Sequence, residues 1–542
     1  MIASDDVRRV TFDRAMRGYR CEDVDDYLRQ VADGIDSLAA ENDDLQKKLV
    51  ILAQRIDQYR ADEDTLSTTM INAQRLGENV IKEAKQKAAE IIRAANIKAE
   101  DREQRARDEV ELAQQELVTI KQEADAFKKR LMDLESQTRA QLPQPEGVEQ
   151  RLEADSPGAA SLARYLRGRG GGFPVYGNTA VTYFNGGEAK FAELLRQLET
   201  AEHYIFLEYF IIDEGLMWGR ILEVLARKAA SGVDVRVMYD GTCEFSTLPR
   251  DYPKRLEALG IRCKVFAPVT PFVSTHYNYR DHRKILVIDG RVGFTGGVNL
   301  ADEYINHVEK YGRWKDAAVM LEGEGVRSMT ALFLQMWSVL QEPEFEQFLR
   351  PEVPAARAEG FVVPYGDCPL DGERVGEMVY IDLLNRARKY VHIITPYLIL
   401  DGELETALRF AAERGVDVHL ILPGVPDKQF AYALAKTHYK ALLSSGVKIS
   451  EWTPGFTHAK LVVMDGVEAV VGTINLDYRS LYHHFENAVW MRRVGSIRDM
   501  ETDFQDTLAR CRTVEATLQS VWQGKKLLRL MGLLLKVIAP LM

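Results

Sequence analysis

From Leu28 the apolar positions run Leu28, Val31, Ile35, Leu38, Leu45, Leu49, Leu52, Ile56 and Tyr59, with Asn42 as the polar member of the row. Steps of three and four alternate over four heptads, which predicts a coiled-coil seam rather than a helix packed on its own domain. With Leu28 at position a, Asn42 is also at a, where a buried Asn fixes register and favours a parallel dimer. Helical sequence rich in Ala, Glu, Lys and Gln continues over 61–141 with a weaker seam. Pro and Gly residues at 141–147 and 155–158 break it, and 142–160 reads as a linker.

From Ala159 short apolar runs alternate with helical stretches, the pattern of α/β architecture. An internal repeat is visible there. Tyr204-Ile205-Phe206-Leu207 is echoed by Tyr390-Val391-His392-Ile393, Gly232-Val233-Asp234-Val235 by Gly415-Val416-Asp417-Val418, and Gly260-Ile261 by Gly446-Val447. Two copies of one α/β unit predict a pseudo-twofold pair with a site where they meet. The expected segments are 1–60 and 61–141 (coiled coil), 142–160 (linker), 161–350 and 351–523 (the repeats) and a tail, 524–542. In the tail Lys525, Lys526, Arg529 and Lys536 interrupt an apolar stretch that Pro540 ends. It suits a helix lying in a membrane interface, with a helix capping the core as the equal alternative.

Composition narrows the classes. Residues 1–155 carry 25 Lys and Arg against 34 Asp and Glu, and 156–542 carry 45 against 47. Neither part is a basic nucleic-acid platform. The five cysteines are scattered, with no metal or redox spacing. No secretory signal and no apolar run of ~18 residues is seen, so no ordinary transmembrane helix is expected.

Each repeat carries H-x-K-x4-D-x6-G-[GT]-x-N. The first copy places His282, Lys284, Asp289, Gly296, Gly297 and Asn299; the second places His458, Lys460, Asp465, Gly472, Thr473 and Asn475. On a strand, i and i+2 share a face, so each His points with its Lys while Arg283 and Ala459 point away. Two imidazoles, two ammonium groups and two amides around one spot match a phosphodiester, anionic and tetrahedral. Asp289 and Asp465 belong to the motif and are grouped with its catalytic residues, yet look like structural supports. An imidazole nucleophile needs a carboxylate on its other nitrogen. His483 and His484 read as surface or local hydrogen-bonding residues.

The paired motifs resemble the HKD motifs of the phospholipase D superfamily. Within it, 159–542 are similar to bacterial cardiolipin synthases, through runs such as Gly172-Phe173-Pro174-Val175-Tyr176-Gly177-Asn178-Thr179, Gly296-Gly297-Val298-Asn299-Leu300-Ala301-Asp302-Glu303 and Asp477-Tyr478-Arg479-Ser480. The resemblance implies a metal-independent exchange without cofactor. One motif histidine, His282 by superfamily pattern, attacks phosphatidylglycerol. The other, His458, protonates the departing glycerol and then deprotonates a second phosphatidylglycerol. It also implies that Lys284, Lys460, Asn299 and Asn475 hold phosphate oxygens, and that Asp316 and Glu486 orient the histidines. Hydrolysis, transfer from phosphatidylethanolamine, and a scaffold with an inactive enzyme domain stay open; nuclease activity is disfavoured by charge.

Val10-Thr11-Phe12, Arg17-Gly18-Tyr19 and Val24-Asp25-Asp26-Tyr27-Leu28 resemble the membrane-binding head of DivIVA, over roughly 7–135. That resemblance implies a parallel dimer whose tip, here Met16 and Arg17, enters the bilayer surface. The family's usual tip phenylalanine is Met in this chain. Cardiolipin synthases of this kind normally begin with two transmembrane helices; the head is expected to replace them. The expected partners are phosphatidylglycerol, an anionic membrane surface and a second copy of the chain, and no nucleic acid. The expected location is peripheral, on the cytoplasmic face of the bacterial membrane, at septa or poles.

Overall fold

A computed structural model describes the chain apart from residues 1–7, 13, 16–17, 20, 63–69, 144, 268–278, 350–355, 357, 524 and 537–542. Residues 1–125 form one compact unit, and 126–272 with 276–542 form the other. The expected membrane-binding pair, Met16 and Arg17, lies outside the described residues.

In the first unit Arg14–Ala15 pairs antiparallel with Gly18–Tyr19. Phe12 packs edge-on against Tyr27, with ring centroids 5.4 Å apart. Helix α1 (Cys21–Asp62) carries the predicted seam. On the single chain Leu28, Ile35, Leu38, Leu45, Leu49 and Leu52 are each more than half exposed. Burying such a side chain is worth roughly 1.5–3 kcal/mol, a gain that the single chain leaves unrealised along this row. Helix α2 (Met70–Gln141) follows.

The last turns of α2 belong to the second unit. Leu131, Leu134 and Thr138 are buried there, and the Arg130 guanidinium donates to the Gln341 carbonyl at 2.9 Å. Residues 142–160, expected as a linker, are folded instead. Helix α3 (Val148–Asp155) occupies them and α4 (Pro157–Arg167) starts within them. Leu142, Val148, Leu152, Ala159 and Ala160 are buried. The helix breakers do end helices, but they separate packed helices. Ser156 accepts the Ala159 N–H at 3.3 Å, and Pro157 sits where a helix start tolerates it.

The repeat builds two sheets of one topology. The first repeat contributes β1 (Thr179–Phe184), β2 (Tyr204–Tyr209), β3 (Asp234–Asp240), β4 (Arg262–Phe266), β5 (Arg280–Asp281), β6 (Lys284–Ile288), β7 (Val292–Gly296), β8 (Arg313–Lys315) and β9 (Ala318–Gly323). The second contributes β10 (Phe361–Asp367), β11 (Tyr390–Ile394), β12 (Asp417–Pro423), β13 (Lys448–Trp452), β14 (Gly455–Thr457), β15 (Leu461–Met464), β16 (Glu468–Gly472), β17 (His484–Arg492) and β18 (Cys511–Val514). Strand order is β1-β9-β7-β6-β2-β3-β4 in one sheet and β10-β17-β16-β15-β11-β12-β13-β18 in the other. The orders correspond strand for strand until β18 is added. Central β2 and β11 each pair parallel with the next strand and antiparallel with the motif strand.

An apolar core joins the two repeats around helix α5 (Val326–Trp337), of which only Arg327 is not buried. A helix apolar on every side belongs inside. The outer face of the first sheet has its own core. Helix α6 (Gln429–Ser444) lies on the second repeat, and α7 (Lys526–Leu535) packs on α6. Gly532 lets the helices approach; an added Cβ would lie 2.5 Å from the Ala433 carbonyl oxygen. One face of α7 buries Leu528, while Leu527, Leu530, Leu533 and Leu534 are exposed on the other. The reading of the tail as a helix capping the core holds for this buried face; the interface reading is left with the exposed one. Among the described residues, no helix is long and apolar enough to cross a membrane.

Candidate active site

Two short ladders between the repeats assemble the site. Strand β5 runs parallel to the start of β17, pairing Arg280 with His484 and Asp281 with Phe485. The His282 N–H then donates to the Phe485 carbonyl at 2.9 Å, so the next side chains on the two strands, His282 and Glu486, meet. Strand β8 runs parallel to β14, pairing Arg313, Trp314 and Lys315 with Gly455, Phe456 and Thr457. The His458 N–H donates to the Lys315 carbonyl at 2.7 Å, which brings His458 against Asp316. His282 Nδ1 lies 2.9 Å from both Glu486 oxygens, and His458 Nδ1 lies 2.9 Å from Asp316 Oδ2. A carboxylate only accepts, so both Nδ1 atoms carry the proton and both Nε2 lone pairs are available.

The pairs are crossed. Each carboxylate follows its own repeat's histidine in sequence, yet serves the histidine of the other repeat. Neither repeat completes a histidine pair alone.

All these groups are buried. Burial, reinforced by the Lys284 and Lys460 charges, drops His282 well below the usual imidazole range, and burial with Lys460 brings His458 down to about 4. Burial also lowers Lys284 to about 7 and Lys460 to about 8. Burial pushes Asp316 up, but His458 and Lys460 outweigh it and hold its carboxyl below the usual range. Each lysine ammonium donates to the carbonyl of its own motif histidine, at 2.6 Å for Lys284 and 2.5 Å for Lys460. Two neutral imidazoles between two lysines form a site suited to a phosphate anion.

The rest of the motif divides by role. Asn299 Nδ2 donates to the Tyr304 hydroxyl at 2.7 Å and its Oδ1 accepts from Ile211 N–H at 3.1 Å. Asn475 Nδ2 donates to Asp477 at 3.3 Å. Each amide nitrogen has a second hydrogen to offer. Asp289 and Asp465, grouped with the catalytic set on the motif, hold turns instead. Asp289 accepts the N–H groups of Glu202, His203 and Tyr204; Asp465 accepts those of Arg388, Lys389 and Tyr390. They close the far ends of their strands, roughly 17 Å from the lysines at ~3.3 Å per residue. Gly297 stands where the second copy has Thr473, because a Cβ there would collide with Asp316. Thr473 itself donates to Glu486. Arg283 turns away as expected, into ion pairs with Asp281 and Glu208.

Sequence reasoning missed several neighbours. His484, read as a surface or local residue, is buried with its ring 5.4 Å from that of His282 and its Nδ1 3.7 Å from Glu486. Its position two residues before Glu486 on a strand was the signal. His282, His484 and Glu486 thus offer ligand atoms within 4.8 Å of one another, a grouping that scattered sequence positions do not announce. Phe210 lies edge-on to His282 at 4.9 Å and beneath the Lys284 ammonium at 5.2 Å. Tyr304, Trp314 and Phe456 surround His458 at 5.4, 5.7 and 5.9 Å.

Comparison with known proteins agrees with this geometry. The family described as "Cardiolipin synthase, PLD-like domain" matches residues 194–337 and 380–508, and "DivIVA protein" matches 2–132. A cardiolipin synthase of Geobacillus thermodenitrificans is 35% identical over 343 residues, 63% of this chain and 68% of that protein. Cardiolipin synthase 2 of Bacillus cereus is 34% identical over 388 residues, covering 70% and 74%. An uncharacterized protein of Streptococcus mutans is 60% identical over 383 residues, covering 70% and 82%. The solved phosphatidylserine synthase of Haemophilus influenzae superposes with a TM-score of 0.55 over 70% of this chain and 99% of its own, at 14% identity, a likeness of fold. With its two crossed HKD motifs and these relatives, the chain belongs to the cardiolipin synthase family of the phospholipase D superfamily, a phosphatidyltransferase carrying an N-terminal DivIVA domain.

Proposed function

We propose that the protein makes cardiolipin from two molecules of phosphatidylglycerol through a phosphatidyl-histidine intermediate. The crossed His–carboxylate pairs carry this reading, because they leave two Nε2 atoms to work from the two repeats on one phosphate. His282 Nε2 attacks phosphorus, the N–P bond forms and the P–O bond to glycerol breaks. The departing oxygen takes a proton from His458, whose imidazolium the incoming phosphodiester anion and Asp316 favour. The hydroxyl of a second phosphatidylglycerol then gives its proton to His458. Its oxygen bonds to phosphorus as the N–P bond breaks, releasing cardiolipin. Lys284 and Lys460 neutralise the phosphate oxygens, with Asn299 and Asn475 as further donors. No metal enters these steps.

Both substrates reside in a bilayer, so the enzyme must stay at its surface. We infer peripheral binding through Met16 and Arg17 of a coiled-coil dimer and through the exposed leucines of α7, which Lys525, Lys526, Arg529 and Lys536 flank. Dimerisation multiplies a weak insertion through effective concentration. A DivIVA-like head would gather the enzyme at curved membrane, at septa or poles.

The direct test is product analysis after purified protein meets liposomes of labelled phosphatidylglycerol. Cardiolipin and free glycerol in equal amounts are expected. Phosphatidic acid as the sole labelled lipid would mean a hydrolase.

A further inference from the structure

A second cationic pair stands beside the motif lysines. Lys428 precedes the first turn of α6, and Arg479 follows Asp477 and Tyr478 in the second repeat. Both side chains are half-buried. Among the described residues neither makes a side-chain hydrogen bond or ion pair; the Lys428 ammonium rests over the Tyr397 ring, 5.2 Å from its centroid. Their nearest carboxylates are engaged elsewhere. Asp427 accepts the Tyr397 hydroxyl at 2.6 Å, and Asp477 accepts the Ser480 N–H at 2.8 Å and Asn475 Nδ2 at 3.3 Å.

The pair adjoins the reaction centre. Tyr397 packs 6.4 Å from Phe456, which packs 5.9 Å from His458. The Lys428 charge reaches His282 and helps depress its proton affinity, behind burial and the motif charges. Asp427 and Asp477 in turn act on Lys460. Burial lowers Lys428 below the usual ammonium range and the Arg479 charge adds to it, against the opposing charges of Asp427 and Asp477. Burial also brings Arg479 down to about 10, with Arg280 adding to it and Asp477 opposing it. Holding two half-buried like charges near one another, with no hydrogen bond or ion pair to either among the described residues, is costly in the empty protein. An anion between them removes that cost, and the α6 N-terminus adds favourable polarity.

We propose that Lys428 and Arg479 bind the phosphodiester of the acceptor phosphatidylglycerol, so that the lipid's terminal hydroxyl reaches the phosphatidyl-histidine. This rests on the cardiolipin-synthase reading. The acceptor's phosphorus lies five bonds from its attacking oxygen, roughly 6 Å at ~1.5 Å per bond with normal angles. A second anion site next to the first is what such a substrate requires. Water and neutral alcohols need no such site, so these two residues decide which acceptor wins.

The test uses full-length protein on phosphatidylglycerol vesicles containing 1-butanol. Cardiolipin and phosphatidylbutanol are measured in one reaction for wild type, K428Q, R479Q and the charge-keeping R479K. We expect K428Q and R479Q each to lose cardiolipin formation at least tenfold while phosphatidylbutanol stays within about twofold, and R479K to lose less. Equal loss of both products in variants whose circular dichroism and melting match wild type overturns the subsite. So does unchanged cardiolipin formation. A variant that fails to fold is replaced by K428M or R479M, judged by the same product ratio. Wild-type protein that makes phosphatidylbutanol but no cardiolipin removes the parent reading and the subsite with it, a result distinct from either failure above.

Discussion

At the residue scale the decisive relation is between a histidine and a carboxylate from the opposite repeat. Removing the partner leaves an imidazole with no fixed tautomer. Asp316→Asn and Glu486→Gln are each expected to lower kcat by about 10³-fold while circular dichroism is unchanged. Activity within tenfold of wild type would show that the carboxylates do not set the tautomer. Protonation gives a second prediction. A nucleophilic imidazole works unprotonated, so kcat/KM falls as pH drops through its pKa. Burial, with the Lys284 and Lys460 charges, places that limb for the nucleophile His282 well below 6.5. Lys284 and Lys460 lose their charges as pH rises through about 7 and about 8. A pH profile of kcat/KM, which reports the free enzyme, is expected to show no acid limb near 6.5 and to fall as pH rises above about 7. A profile that rises beyond pH 8 contradicts the role given to the lysines. The motif residues were legible in sequence because i and i+2 spacing is local. The crossing was not, since Asp316 and His458 meet only when two sheets pack. Asp289 and Asp465, which look like structural supports in the sequence, accept turn N–H groups in the fold.

At the element scale, three segments behave differently from their sequence signals. The linker expected at 142–160 is folded because Val148 and Leu152, one helical turn apart, find a core to enter. Pro and Gly mark helix ends whether or not the helices pack, so breakers alone could not distinguish the cases. The C-terminal turns of α2 likewise belong to the catalytic unit through Leu131 and Leu134. Truncation after residue 125 is therefore expected to leave micelle activity and melting temperature near wild type. Truncation after 141 removes two buried leucines worth roughly 1.5–3 kcal/mol each, and thermal melting should register it as a drop of several degrees. Equal melting for both truncations would show that those leucines contribute nothing. Helix α7 has two apolar faces, so amphipathic spacing alone could not choose between core and membrane. Replacing Leu527, Leu530 and Leu534 by Ser spares the buried face. It is expected to weaken cosedimentation with anionic liposomes severalfold at unchanged melting temperature. Undiminished cosedimentation would assign membrane binding elsewhere.

At the scale of the whole molecule, one chain joins an HKD phosphatidyltransferase to a DivIVA domain whose heptad seam lies open on the single chain. We propose that a second copy covers that row, in parallel, as Asn42 at an a position favours. The full-length protein is expected to sediment as a dimer or larger, and Leu45→Asp with Leu49→Asp as a monomer. A monomeric wild type at micromolar concentration would refute the seam. The central claim is that phosphatidyl passes through a histidine, and stereochemistry at phosphorus tests it most directly. Phosphatidylglycerol carrying a phosphorothioate of one configuration is converted to the corresponding cardiolipin, and the configuration of the transferred phosphorus is read. Two in-line displacements, one onto His282 and one off it, predict net retention; net inversion would mean that the acceptor attacks directly and that no phosphatidyl-histidine forms.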